Sequence, residues 1–474
     1  MRAWIVCVWG TLLYCSLLAA NPAGALAVEA GFGEVDITPD VKAKPVWVAG
    51  YGQNRKATDV HDPLYARCVV LKDGDQKIAL AVADVVGLQY DTVLEIRKEL
   101  SDFAYVMVSA THNHEGPDTV GIWGPSFNKS GVDQEWMKRF VQQTVEMIRA
   151  AEKSAVPVKA SYGTAEDDTL LRDSREPYVY DGVLRALKFA DPASGKVLGV
   201  AVQWNCHPEA MGGSNTSITA DFPYATVQTL KEKYDCPVVY FTGPVGGLMA
   251  PPRDKRIKNA AGEFLGEGDF EFCRLYGVAV GELAIKAVET AEPIDLSGFA
   301  VSAKAISVPL ANKLYQAARM FGVLKRTGRV WTGNSEELGD LLTPKNAKGA
   351  EPAGETEVGY VRLGDLHIAC IPGEIYPESV YGKYQDPVDP GADFPEAPLE
   401  KPIMAILPGK KALIIGLAND ELGYILPKRQ WDEKPPFAYG RDKDQYGEEN
   451  SVGPETAPLL YGALERRVRE AQGK

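Results

Sequence analysis

The sequence is short of the residues that mark several classes of protein. Lysine and arginine number 51 against 64 aspartates and glutamates, and the net charge of −13 argues against a nucleic acid as partner. Beyond residue 27, no apolar run is long enough to span a membrane. Apart from Cys7 and Cys15 within residues 1–27, the cysteines are odd in number and widely spaced, which argues against a disulfide framework or a zinc ribbon and favours buried thiols with at most one bridge: Cys68, Cys206, Cys236, Cys273 and Cys370.

Residues 1–27 have the pattern of a secretory signal peptide. Arg2 supplies a positive end, residues 4–20 form an apolar core, and Ala25-Leu26-Ala27 has the small-x-small form that signal peptidase requires. We therefore predict that the mature protein is secreted or periplasmic and has no transmembrane segment, which still allows peripheral contact with a membrane. Residues 28–474 are predicted to form one catalytic domain.

Composition and periodicity predict a mixed α/β fold. The chain of 474 residues has 45% hydrophobic and 24% charged residues, as in ordinary globular proteins. Short β-branched runs predict strands, and apolar residues at helical spacing predict helices. We expect one large domain of mixed β-sheets covered by helices. The predicted strands are 28–37, 66–71, 77–85, 196–204, 237–241, 358–363, 366–371 and 412–417, and the predicted helices are 90–100, 134–152, 224–234, 272–290 and 457–471.

A polar loop follows the apolar run that ends at Ala110. It holds His112 and His114, two of only five histidines in the chain, and the carboxylates of Glu115 and Asp118 come directly after them. Residues i and i+2 of an extended chain point to the same side, so the two imidazoles can converge. In so histidine-poor a chain, this pattern indicates a binding or catalytic loop. The alternative is a polar loop with solvated histidines.

Three further predicted strands end in potential ligands. His207 follows strand 196–204, Glu374 follows strand 366–371, and Tyr424 closes the loop after strand 412–417. Ligand sites in layered α/β proteins lie at the carboxyl ends of strands. Two histidines, a carboxylate and one further donor suit an open catalytic zinc site. Spacing alone leaves simpler roles open, namely a hydrogen-bonded loop histidine, a helix N-terminal carboxylate and a packed tyrosine.

The two other histidines are predicted to lie outside this site. His61 precedes Asp62-Pro63 in a polar segment, and a structural or rim position is expected for it. His367 lies inside a predicted strand and is expected to be packed.

Several segments resemble the neutral/alkaline, non-lysosomal ceramidase family, whose members are zinc-dependent amidases that split ceramide into sphingosine and a fatty acid. The similarity begins at residues 31–39 and extends to Tyr424. The segments that carry it are His61-Asp-Pro-Leu-Tyr-Ala-Arg67, Thr111-His-Asn-His-Glu-Gly-Pro117, Arg172-Asp-Ser174, Pro372-Gly-Glu374 and Asn419 to Tyr424.

The resemblance implies roles for individual residues. His112, His207, Glu374 and Tyr424 would hold zinc. His114 would lie beside the ion and contact substrate or the developing oxyanion, and Arg172 would be a further polar contact.

Two departures from the family are visible. Residues 244–251 read Pro-Val-Gly-Gly-Leu-Met-Ala-Pro and lack the serine and aspartate that the family carries in this loop. The family's C-terminal β-sandwich domain is expected to be absent from this chain.

The sequence therefore predicts an exported zinc-dependent hydrolase that cleaves an amide bond, with ceramide or another N-acyl lipid as the first substrate to consider. Two alternatives remain. One is an exported binding protein that has kept the fold and lost turnover. The other is an esterase or lactonase that uses the same metal.

Overall fold

The computed structural model describes residues 28–253 and 257–474 of the chain. The predicted signal peptide lies outside these residues. The helices are α1 (Tyr90–Lys98), α2 (Gln134–Lys153), α3 (Phe222–Tyr234), α4 (Phe270–Glu289), α5 (Lys313–Met320), α6 (Glu378–Tyr381), α7 (Ile403–Ile406) and α8 (Thr456–Ala471). The strands are β1 (Glu29–Asp36), β2 (Asp59–Val60), β3 (Tyr65–Asp73), β4 (Gln76–Ala83), β5 (Tyr105–Ala110), β6 (Val156–Pro157), β7 (Lys159–Glu166), β8 (Val183–Ala190), β9 (Val197–Trp204), β10 (Ser217–Ile218), β11 (Val238–Thr242), β12 (Glu292–Ile294), β13 (Phe299–Pro309), β14 (Gly328–Val330), β15 (Pro352–Leu363), β16 (Leu366–Cys370), β17 (Glu374–Ile375), β18 (Ala412–Ile415) and β19 (Tyr424–Ile425).

The first sheet has the strand order β5-β4-β3-β1-β6. Strands β3 and β4 form an antiparallel hairpin, whereas β4 and β5 run parallel, so the chain crosses over through α1. Helix α2 covers this sheet with a buried stripe that includes Trp136, Phe140 and Ile148. Its first turn is capped by Asp133, whose side chain accepts hydrogen bonds from two backbone amides of the helix.

Two more sheets pack with the first around a shared core. Their orders are β11-β9-β8-β7-β12 and β13-β15-β16-β18. Leu80 from the first sheet, Phe241 from the second and Ile368 from the third belong to one buried apolar cluster. Because three sheets share a core, the ends of β5, β9, β16 and β18 are brought to one region of the molecule.

The mixed α/β fold predicted from the sequence is confirmed. Each predicted strand and helix corresponds to an observed one with boundaries shifted by a few residues. The elements that were not predicted include β7, β8, β13 and α5. Strand β7 reads Lys-Ala-Ser-Tyr-Gly-Thr-Ala-Glu, which contains too few large apolar residues to show a strand pattern.

The histidines and cysteines outside the predicted site lie where the sequence suggested. His367 is buried in β16 and bonds through Nδ1 to the Tyr360 hydroxyl at 2.7 Å. His61 lies in a loop, partly exposed, and stacks on Phe270. The five described cysteines are all free and buried. Within residues 28–253 and 257–474, no helix combines the length and apolar character needed to cross a bilayer.

Candidate metal centre

Three of the four predicted zinc ligands, His112, His207 and Glu374, meet where strands of different sheets end, and the ring of Tyr424 packs against that of His207. His112 follows β5 and His207 follows β9, while Glu374 and Tyr424 begin two short strands that pair in parallel as direct partners. The carboxylate Oε2 of Glu374 lies 2.9 Å from Nε2 of His207 and 3.4 Å from Nε2 of His112. The loop containing His114 completes the cluster, since the ligand nitrogens of the three histidines lie within 4.8 Å of one another.

Backbone carbonyls hold the His112 and His207 rings in place. Nδ1 of His112 donates to the Val86 carbonyl at 2.6 Å, and Nδ1 of His207 donates to the Met249 carbonyl at 2.9 Å. With the proton on Nδ1, each Nε2 presents a lone pair toward Glu374. Histidine ligands in metal sites show this pattern, in which the second ring nitrogen is bonded to a carbonyl or carboxylate. His112 also has a φ of +67°, a strained backbone that turns the ring inward.

The charges in this cluster call for a cation. Burial alone would raise the pKa of Glu374, but the imidazoles of His112 and His207 hold it well below its usual range. Burial opposes charge on both histidines, yet the neighbouring carboxylates outweigh it and raise their pKa values. A buried carboxylate that faces two imidazoles is stable when positive charge balances it, either on a ring or on a bound ion. The imidazoles of His112 and His207 with the carboxylate of Glu374 are donors that suit a metal ion such as zinc.

His114 is held beside the cluster by a carboxylate of its own. Its Nε2 lies 3.2 Å from Nε2 of His112, and its Nδ1 lies 2.9 Å from Oε1 of Glu209. Burial lowers the pKa of His114 to about 4 despite the charge of Glu209. Burial would raise the pKa of Glu209, but His114 and the other two histidines lower it to about 2. Burial therefore favours the neutral form of the His114 ring.

Gly50 makes room for the His114 ring. A Cβ at this position would lie 2.4 Å from Cγ of His114, and the residue has a φ of +100°. A side chain here would both clash with the ring and strain the backbone. From below, buried Arg55 donates to the backbone carbonyls of His114 and Ala49. The histidine loop is thus fixed from two sides.

The cluster forms the floor of a cavity of about 540 Å³. Its polar residues are His112, His114, Glu209, Glu374, Glu421, Tyr424 and Arg326. Its walls are mostly apolar, formed by Val86, Val120, Ile122, Trp123, Leu248, Val308, Leu310, Leu324, Leu422 and Val452. The arrangement suits a ligand with one polar group and an apolar chain.

A model of the family described as neutral/alkaline non-lysosomal ceramidase, N-terminal, matches residues 28–235. The predicted resemblance is confirmed. The chain is also similar to a crystal structure of neutral ceramidase from Pseudomonas aeruginosa, with 16% identity, and to a ceramidase complexed with C2, with 17% identity. Each comparison has a TM-score of 0.68 and covers 94% of this chain and 75% of the other. At this identity the likeness shows the fold. No curated protein sequence matches the chain significantly.

The loop that departs from the ceramidase pattern has two functions here. Residues 244–251 follow β11, and Met249 supplies the carbonyl that orients His207. Leu248, with a φ of +63°, lines the cavity. The loop thus keeps its part in positioning a metal-site histidine, while an apolar side chain lines the space.

The other two predicted site residues, Tyr424 and Arg172, differ in their relation to the cavity. Tyr424 is buried, its ring packs against those of His207 and Tyr376, and burial with the nearby charge of Glu374 raises the pKa of its hydroxyl. Arg172 is half-buried and pairs with the backbone of Ala250. It is absent from the described cavity lining, and its side chain donates to the Ser174 hydroxyl.

Two carboxylates of the floor were not among the predicted site residues. Glu209 stands two residues after His207, a spacing that could have indicated its role. Glu421 lies three residues before Tyr424 in the same loop and lines the cavity. Burial and the charge of Glu374 raise the pKa of Glu421 to about 8, and its Oε1 accepts a hydrogen bond from the Gly423 amide at 2.6 Å.

Proposed function

We propose that this protein is a zinc-dependent hydrolase that cleaves the amide bond of an N-acyl lipid, with ceramide as the first substrate to test. The observation that carries the proposal is the pair of Nε2 atoms of His112 and His207, held by backbone carbonyls and directed at Glu374. This pair lies at the floor of a cavity with apolar walls. A family match over residues 28–235 supports the same reading.

The proposed zinc ligands are His112, His207, Glu374 and Tyr424. A zinc ion held there supplies Lewis acidity, which polarises a carbonyl and lowers the pKa of a water molecule. The buried carboxylate of Glu374 balances the positive charge. Val86 and Met249 hold the two rings in the orientation that ligation requires.

His114 and Glu209 supply proton transfer in this proposal. With its proton on Nδ1, which lies 2.9 Å from Oε1 of Glu209, His114 presents Nε2 as a proton acceptor. It takes the proton from the attacking water and delivers it to the leaving amine, while Glu209 fixes the tautomer and the ring orientation. A neutral His114 in this tautomer has no proton on Nε2 to donate to an oxyanion. The role proposed for His114 is therefore that of a general base, in place of the oxyanion contact expected from the resemblance. Arg172 is proposed as a further polar contact.

The walls of the cavity bear on the substrate. A chain of CH₂ groups gains about 0.8 kcal/mol for each group buried against apolar side chains. Leu248 offers no hydrogen bond where the ceramidase family has polar groups in the same loop. A site without such a donor discriminates less against substrates that lack the matching hydroxyl. This observation favours simpler amides, and esters as a second class, alongside ceramide.

Residues 28–474 are proposed to form the exported catalytic unit, with residues 1–27 removed on export. Mass spectrometry of protein recovered from a secreting host is the test. The expected N-terminus is near Val28. An intact Met1 in secreted protein would contradict the proposal.

The decisive measurement is kcat/KM for ceramide, a short N-acyl amide and the matching ester, made on protein with its zinc content determined. We expect the two simpler substrates to be hydrolysed at least as efficiently as ceramide. A preference for ceramide of about a hundredfold, or about 2.7 kcal/mol, would show that the altered loop leaves family specificity intact. If zinc is bound and none of the three is hydrolysed, the binding-protein alternative replaces the enzyme.

A further inference from the structure

Large apolar side chains are exposed together at one place on the surface. Leu314 is 68% exposed, Met320 77% and Phe321 52%, all on or directly after α5, and Phe127 from a neighbouring loop is 65% exposed. The rings of Phe127 and Phe321 contact each other edge to face, with centroids 6.0 Å apart. Leu314 and Phe321 are seven residues apart, which places them on the same side of the helix. These residues form a cluster, unlike single exposed apolar residues, which are common.

The segments that carry this cluster also form a wall of the cavity. Tyr315 and Leu324 line the cavity from the α5 segment, and Ile122 and Trp123 line it from the segment that continues to Phe127. The exposed side chains are therefore carried by the same segments that line the cavity. A ligand that moves from the cluster into the cavity contacts apolar side chains at both places.

The α5 segment is rich in positive charge, in contrast to the whole chain. Residues 311–330 contain five cationic residues and no aspartate or glutamate, although the net charge of the chain is −13. Two of them are neutralised, since Arg326 pairs with Asp420 and Arg329 with Glu355. Lys313 and Lys325 are exposed. A second cavity, of about 870 Å³, lies beside the first and is lined by Arg319, Lys325 and Arg326.

We propose that Phe127, Lys313, Leu314, Met320, Phe321 and Lys325, here called the α5 surface, dock on an anionic lipid bilayer. Apolar side chains flanked by lysines are the composition that inserts at the boundary between headgroups and acyl chains. Each lysine near an anionic membrane adds about 1 kcal/mol of attraction. The inference rests on the proposed function, because docking through segments that also line the cavity brings a membrane-dissolved N-acyl lipid close to it.

Vesicle co-sedimentation of the full chain tests the proposal without any turnover. The probes are phosphatidylcholine vesicles with and without phosphatidylglycerol. Binding is expected only with phosphatidylglycerol present, and it should be lost at about 1 M salt, where the Debye length falls to about 3 Å. Equal binding to both vesicle types at all salt concentrations, or no binding to either, would overturn the proposal.

Two double variants separate charge from apolar contact. Lys313→Gln/Lys325→Gln should weaken binding to the anionic vesicles about 25-fold, at about fivefold for each lysine. Met320→Gln/Phe321→Gln should weaken it at least about tenfold. The matched controls are Lys42→Gln/Lys153→Gln and Tyr178→Gln/Phe264→Gln, which remove exposed side chains of the same kinds elsewhere. Variants of the α5 surface that bind as tightly as their controls would contradict docking.

Activity distinguishes this inference from the proposed function. In the Met320→Gln/Phe321→Gln variant, hydrolysis of a soluble short N-acyl amide should be unchanged, while hydrolysis of a long-chain substrate in anionic vesicles should fall in proportion to binding. Vesicle binding without turnover of any substrate would leave docking intact and refute the enzyme. Turnover of both substrates without vesicle binding would do the reverse. If the substitutions abolish a dimer in solution and leave vesicle binding unchanged, the surface binds a second copy and docking is refuted.

Discussion

The floor and the wall of the main cavity are built in different ways. On the floor, each ring of the proposed metal centre has a defined partner: a backbone carbonyl for His112 and for His207, and a carboxylate for His114. The wall consists of apolar side chains from several loops, such as Trp123, Leu248 and Leu324, which make contact without directional bonds. The floor is anchored at strand ends, whereas the wall follows the loops between them.

This difference indicates where chemistry and specificity reside. A hydrogen-bonded ring cannot shift without losing a buried bond, so the floor tolerates little change. Apolar wall residues can be exchanged at a cost set by shape and area. The loop at residues 244–251 shows both behaviours, because the Met249 carbonyl holds His207 while the Leu248 side chain lines the cavity.

The largest effect should come from removing the carboxylate of Glu374 at the floor of the cavity. Glu374→Ala leaves the two Nε2 atoms without their anionic partner, so we expect loss of bound zinc and a fall in kcat/KM of at least about a thousandfold. Zinc is measured by elemental analysis after gel filtration, and folding by circular dichroism. His112→Ala and His207→Ala should also lose zinc. His61→Ala, which changes a partly exposed histidine away from the centre, is the control. Full zinc in both floor histidine variants would show that the centre is misassigned.

The next largest effect should come from Glu209, the carboxylate that lies beside His114. Glu209→Gln keeps the size of the side chain but no longer fixes the proton on Nδ1 of His114, and kcat should fall about a hundredfold with zinc content unchanged. KM should change little. In a double-mutant cycle with His114→Ala, the effects should be strongly non-additive, because both residues act through one proton transfer. Additive effects would mean that Glu209 serves only to stabilise the loop.

A smaller effect is expected at Gly50, where the absence of a side chain leaves room for the His114 ring. Gly50→Ala places a methyl group against the His114 ring, so the ring must shift; we expect a loss of about tenfold in kcat and about 1–3 kcal/mol in the free energy of unfolding. Gly52→Ala is the matched control, because a Cβ there meets no atom within 4 Å. Activity assays and denaturant unfolding of both variants make the comparison. Equal behaviour of the two would show that the packing of Gly50 does not position His114.

The difference between floor and wall also explains which parts of the site could be predicted from the sequence. Strand ends are readable, because a β-branched run that stops at a polar cluster such as His112 or His207 marks both the element and its ligand. The spacing of Glu209 after His207 indicates that it lies near the site, but neither its position nor that of Glu421 shows that the carboxylate faces an imidazole or another carboxylate. The exposed apolar surface on α5 was not predicted either, because α5 is short. Its exposed residues form a group only together with Phe127, which lies nearly 200 positions earlier in the chain. Contacts between distant segments leave no local pattern.

The smallest effect should come from the wall itself. Leu248→Ala removes apolar contact from the cavity without touching a bonded group of the floor. For a long-chain N-acyl substrate we expect KM to rise about three- to tenfold with kcat within about twofold, the result of losing about 1 kcal/mol of binding shared by ground and transition states. For a short N-acyl amide that does not reach Leu248, both constants should stay unchanged. Leu399→Ala, at a surface position with 43% exposure, controls for a general effect of removing a leucine. A fall in kcat for both substrates would show that Leu248 acts through the Met249 carbonyl on His207, and the separation between floor and wall would then fail at this loop.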